Sequence, residues 1–192
     1  MKKKIKLIST FASLGLALAL MVFGVYAATA VQFKVTTNVS FTADTEVQAT
    51  ITAAHTAALA KAPEAKDYVE VEGAGGTAGY TGNNWADAIA DIAFEEVALS
   101  SSANVYSYKI TIKNDDDERK LRVTATLGAE VDEKNQYTIE FNKTSGTAFD
   151  IDESGSADLI VTVTITDLAG NAVPVAAINT AMGLTVDLAV VA

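Results

Sequence analysis

The sequence predicts an all-β protein: an antiparallel β-sandwich of jelly-roll or immunoglobulin-like type with about 7–10 strands, preceded by a hydrophobic signal helix. Three observations predict it. Apolar residues recur at every second position in seven separate runs, the signature of a half-buried strand. Those runs are rich in Val, Ile and Thr, which suit a pleated surface. Polar turn clusters separate them at short intervals, as in sandwiches.

Taken in order, the chain opens on Met1-Lys2-Lys3-Lys4-Ile5-Lys6, four lysines and no acid, followed by an uncharged apolar stretch over residues 7–25. Small residues then stand at the spacing signal peptidase reads. The predicted signal peptide is residues 1–27, cut after Ala27; Ala28-Thr29-Ala30 offers a second position with cleavage after Ala30. A run of about 20 apolar residues is also long enough to span a bilayer, so a retained signal anchor is the competing expectation. Residues 28–192 are predicted to form a single β-sandwich domain, because only two prolines and no long charge block interrupt them.

The first strand follows at once: Val31, Phe33, Val35, Val39 and Phe41 alternate with polar residues. Val47, Ala49 and Ile51 continue the pattern. Residues 53–65 are alanine-rich enough for a short helix, Tyr68, Val69 and Val71 suit a brief strand, and residues 73–84 read as a glycine-rich loop. Between Trp85 and Leu99 the spacing is mixed, with a strand expected at residues 92–94. The alternation is clearest from Tyr106 to Ile112, Leu121 to Leu127, Tyr137 to Phe141, Leu159 to Ile165 and Leu184 to Val190. Turn chemistry lies between these runs at residues 113–120, 152–156 and 167–174.

Charge and composition exclude several function classes. Removing the four signal lysines takes the formal charge from −10 to −14, a surface that repels nucleic acid and anionic lipid. A membrane contact is expected only through an uncleaved signal segment. There is no cysteine, hence no disulfide framework, thiolate nucleophile or cysteine zinc site.

His55 is the only histidine, so His-Glu-x-x-His zinc chemistry is excluded, and no Gly-x-Ser-x-Gly elbow accompanies it for serine hydrolysis. His55 is expected to be a surface or edge residue. The pairs Glu95–Glu96 and Asp150–Asp152 have the composition of glycosidase carboxylates, but in turns such acids are ordinarily solvated. Asp115, Asp116 and Asp117, with Asn114 and Glu118, supply oxygen ligands of the kind calcium takes. Consecutive positions on a tight hairpin diverge, however, and the spacing favours a solvated turn. No catalytic residue, metal site or cofactor is therefore expected. Tyr80 and Trp85, flanking Thr81-Gly82-Asn83-Asn84, offer flat rings beside polar groups, the makings of a platform for surface glycans; core packing of Trp85 is the competing expectation.

Four stretches together resemble the TasA/camelysin-like exported proteins of Gram-positive bacteria. Gly24-Val25-Tyr26-Ala27-Ala28 is similar to the Gly-Thr-Tyr/Trp-Ala ending of that family's signal. Tyr108-Lys109-Ile110-Thr111-Ile112-Lys113-Asn114 precedes an acidic turn. Ile151-Asp152-Glu153-Ser154-Gly155-Ser156-Ala157 leads into the strand from Leu159, and the last strand is apolar. Together they cover about half of the mature chain. The resemblance implies a secreted, non-enzymatic structural protein of the cell surface or biofilm matrix. It further implies a homo-oligomer or filament that grows by donating the N-terminal strand, here Val31, Phe33, Val35, Val39 and Phe41, into the next subunit. A carbohydrate-binding or adhesive β-sandwich module is the alternative.

Overall fold

The structure is a computed structural model that describes residues 33–44, 46–78, 80–81, 84–85, 89–128, 136–166 and 175–191. All of them belong to one compact unit, Phe33–Ala192. The predicted signal helix, Ala27 and Val31 lie outside the described residues, as does the turn at 167–174.

Ten strands build two five-stranded sheets. Sheet I runs β12 (Ala148–Ile151), β10 (Lys120–Leu127), β14 (Leu184–Val191), β2 (Asn38–Ala43) and β7 (Ile92–Ala93). Sheet II runs β11 (Tyr137–Phe141), β13 (Ser156–Ile165), β9 (Val105–Asn114), β3 (Ala49–His55) and β4 (Val69–Ala78). Two short ribbons complete the set, β1 (Phe33–Val35) with β8 (Val97–Leu99), and β5 (Tyr80–Thr81) with β6 (Asn84–Trp85). The all-β expectation is met, and the alternation predicted the faces. Tyr106, Tyr108, Ile110 and Ile112 of β9 are fully buried, as are Leu159, Val161 and Val163 of β13. From sheet I, Leu121 and Val123 of β10 and Val186 and Leu188 of β14 join the same hydrophobic cluster. Each such aliphatic side chain contributes about 1.5–3 kcal/mol by leaving water.

The structure departs from the sequence reading in several places. Residues 53–65 are not a helix: Ala53 and Ala54 complete β3, and a 3₁₀ turn occupies only Ala65–Asp67. Alanine's helix preference amounts to under about 1 kcal/mol per residue, and pairing on both sides, with β9 and β4, overrides it. The glycine-rich stretch is not a loop throughout, because β4 extends to Ala78. It remains extended through Gly75, at φ +93°, where a side chain would place its Cβ 2.2 Å from the Ile51 carbonyl oxygen. The register of β3 against β4 shifts between Thr52 and Ala54, next to that close approach.

Two further features were not anticipated. A helix, α1 (Val175–Met182), precedes the last strand and buries Ile178, Ala181 and Met182. Strand pairing is antiparallel throughout the described residues with one exception: β2 lies parallel to β14, Val39 opposite Leu184 and Phe41 opposite Val186. The strand number is also higher than predicted, fourteen among the described residues, because the N-terminal run breaks into β1 and β2 and the 80–99 region folds into four short pieces.

From β9 to β14 every successive strand changes sheet, so the connections are corners between layers rather than hairpins within one. Three corners meet at one end: residues 46–48, 115–119 and 152–155.

Candidate functional site

The meeting of these three corners explains the acidic turn. Asn114, fully buried, donates from Nδ2 to the Arg119 carbonyl at 2.8 Å and to the Asp152 carbonyl at 3.2 Å. The Asp115 amide donates to the Gln48 carbonyl at 2.9 Å, and the Ser154 amide to the Asp116 carbonyl at 3.0 Å. Asp116 is not solvated, as the turn reading expected, but buried. Its carboxylate accepts from the amides of Glu118 (2.9 Å) and Arg119 (3.1 Å) and from Arg119 Nε (2.8 Å). Arg119 reaches on to Glu46 at 2.7 Å. Asp115 accepts from Thr50 and Lys113, both at 2.6 Å.

These donors hold the Asp116 carboxyl below the usual carboxylate range, the Glu118 amide foremost, against the opposing cost of burial. A cation at this corner would have to displace Arg119 and Lys113. Among the described residues no group of three or more Asp, Glu or His is arranged to hold a metal ion. The corner is thus a structural clasp in which protein donors occupy the lone pairs of Asp115 and Asp116, while Asp117 and Glu118 are exposed.

The candidate glycosidase pair is committed similarly. Arg122 grips Asp150 with two bonds, 2.8 and 3.1 Å, and Lys120 holds Asp152 at 2.6 Å. Arg122 pulls the Asp150 carboxyl below its ordinary value, the reverse of what a general acid needs. Glu96 pairs with Lys34 at 2.8 Å, across the β1–β8 ribbon.

His55 closes β3, an interior strand of sheet II, so it stands at no sheet edge. It is half-buried, its ring 5.8 Å from Phe94 and 6.1 Å, edge-on, from Tyr106. Its Nδ1 is shut off from solvent without a hydrogen-bond partner. Burial lowers its pKa, with Glu95 pulling the other way. A triad base needs Nδ1–H held by an acceptor, and this imidazole has none. It lines a cleft of about 440 Å³ with Ala58, Val69, Glu95 and Val97, Val69 being 65% exposed.

Of the proposed donor-strand residues, Phe33, Val35 and Val39 are buried in the chain's own core and Phe41 is half-buried against it. The run is not one strand. β1 pairs only with β8, whereas β2 sits between β14 and β7. Tyr80 pairs with Trp85 across the β5–β6 ribbon, but both side chains lie outside the described residues, and so does the stacking platform expected of them.

The sequence reading missed a second aromatic pair, Phe141 and Phe149, which flank a cleft at the β11–β12 corner. Two phenylalanines on either side of a Lys-Thr-Ser-Gly-Thr turn were the available signal. Comparison of the chain with protein families, curated proteins and solved structures finds no match.

Proposed function

We propose that the chain is a secreted, non-enzymatic structural protein of the cell surface or extracellular matrix, assembling into fibres by exchange of its N-terminal strands. The signal helix over residues 1–27 is its export address. The alternation of successive strands between sheets from β9 to β14 supports a jelly-roll-like rather than an immunoglobulin-like arrangement.

The observation that carries the reading is the parallel pairing of β2 with β14. Parallel neighbours cannot be joined by a tight hairpin. No local turn therefore fixes β2 in its slot, and the equivalent strand of another copy would meet the same backbone partners and the same apolar pocket. β1 is held still less, by three residue pairs to β8. In the monomer β1 and β2 fill their own core; in a fibre those of a neighbour would. The commitment of Glu96, Asp150 and Asp152 to internal ion pairs, and of His55 to an aromatic pocket, supports a non-catalytic role.

The absence of cysteine makes the test clean. Lys34 and Ala98 face each other across β1–β8 and are both exposed. A K34C/A98C disulfide ties β1 to its own domain. Mature protein is expected to form filaments, the oxidised double variant to stay monomeric, and reductant to restore assembly. Filaments from the oxidised variant would sink the strand-exchange mechanism, and a wild-type chain that stays monomeric at high concentration would sink the structural role. Mass spectrometry of the secreted form, expected to begin at Ala28, tests the export step.

A further inference from the structure

The cleft at the β11–β12 corner has the makings of a ligand site independent of strand exchange. Its volume is about 480 Å³, within the ordinary range of small-ligand pockets. Phe141 and Phe149, both half-buried, form its apolar walls, while Lys143, Thr144 and Thr147 supply its polar groups. The corner is fastened to both sheets. Asn142 is bound to β13 three times: its amide donates to the Ile160 carbonyl (3.1 Å), its Nδ2 to the Asp158 carbonyl (2.9 Å), and its Oδ1 accepts from the Ile160 amide (2.8 Å). On the other side the Gly146 amide donates to the Ala125 carbonyl at 2.9 Å, and the Leu127 amide to Ser145 Oγ at 2.9 Å. A cleft held at both ends is pre-organised, so a ligand entering it spends little on ordering the protein.

The charge at this cleft is singular. Among the described residues every lysine and arginine has a carboxylate partner except two. Lys109 lies over the Tyr68 ring at 5.6 Å, and Lys143 over the Phe149 ring at 4.6 Å. Lys143 alone of the two lines the Phe141–Phe149 cleft, which no acidic side chain lines. On an acidic surface, a cation that finds a ring rather than a carboxylate retains its capacity for an anion.

The geometry points to an acidic sugar, the uronate unit of a polysaccharide, as the ligand of this cleft. The C–H face of the sugar ring lies against Phe149, its carboxylate draws Lys143 off the aromatic ring, and its hydroxyls reach Thr144 and Thr147. A neutral sugar would satisfy only the stacking half of the site; a simple anion would satisfy only the lysine.

The test is titration of the isotope-labelled mature protein with trigalacturonate, followed through backbone amides, beside the neutral galactotriose. Saturable shifts confined to residues 141–149 are expected, with the neutral trisaccharide about tenfold or more weaker, since one charge-assisted contact is at stake. Lys143→Gln should bring trigalacturonate down to the neutral sugar's affinity, while Lys109→Gln should leave it unchanged. Equal binding of both trisaccharides, equal losses in the two lysine variants, or no saturable shift in 141–149 would each overturn the assignment. Unchanged amide shifts outside the corner verify that each variant is folded.

Discussion

The Tyr108 hydroxyl, fully buried on β9, donates a hydrogen bond to the main-chain carbonyl of Met182 at the C-terminal end of α1. A helix leaves its last carbonyls without internal partners, and here a tyrosine from sheet II serves one of them. The same ring packs 4.9 Å from Phe94. Tyr108→Phe keeps the ring and removes only the donor. It is expected to cost about 1–3 kcal/mol, because the Met182 carbonyl is then buried unsatisfied. The midpoint of urea unfolding measures it.

The clasp at Asp116 gives acid sensitivity. Its folded-state pKa lies below the ordinary value, chiefly through the Glu118 amide, so the unfolded chain takes up a proton first as pH falls. The stabilisation is therefore whole above about pH 4 and is lost progressively below it. Asp116→Ala should lower stability at neutral pH by about 2–3 kcal/mol. It should also flatten the fall between about pH 4 and pH 2; an unchanged acid limb in the variant would contradict the clasp.

His55 adds a separate dependence at milder pH. Burial depresses its pKa, and protonation would place an N–H at Nδ1, where no acceptor stands. Its neighbours offer little relief: Glu95 is exposed, Glu96 is taken by Lys34, and burial pushes the Tyr106 hydroxyl's pKa up, keeping it neutral. Stability from neutral His55 is whole above about pH 6.5 and declines as pH falls toward the lower folded value. Replacing His55 with Phe should remove that component, so that unfolding midpoints at pH 7 and pH 5.5 differ less than in the wild type.

Gly128 stands where two backbones meet. A Cβ on Gly128 would stand 1.8 Å from the Thr180 carbonyl oxygen, where the end of β10 meets α1 and the Gly128 amide donates to the Gly183 carbonyl at 2.7 Å. Gly128→Ala should cost about 1–3 kcal/mol or more. Gly76→Ala enters open space and should stay within about 0.5 kcal/mol of the wild type. Thermal unfolding of the pair distinguishes contact from conformational freedom.

Much of the core was legible because a period of two is a property of the strand itself. Tyr106 to Ile112 and Leu159 to Val163 turn inward as their spacing demands. The 53–65 region misled because alanine's local preference is weak beside pairing with β9 and β4 as far as His55 and the Leu59–Val105 bridge beyond it. α1 escaped because its eight residues directly precede a strong strand and bury only one stripe. The role of the 114–119 turn was hidden for a different reason. Its acids look solvated from their own segment, whereas Gln48, Glu46 and Asp152, which complete the clasp, come from distant corners. Spacing along one segment carries no information about such partners.

The parallel union of β2 with β14 also orders the events of folding. Val39 finds its neighbour Leu184 only after nearly all the intervening chain has been made, and bringing together segments so far apart in sequence is slow. A nascent polypeptide that lacks β14 carries β2 with an unsatisfied edge, so sheet I closes late, as a completion step that waits on synthesis of residues 184–191.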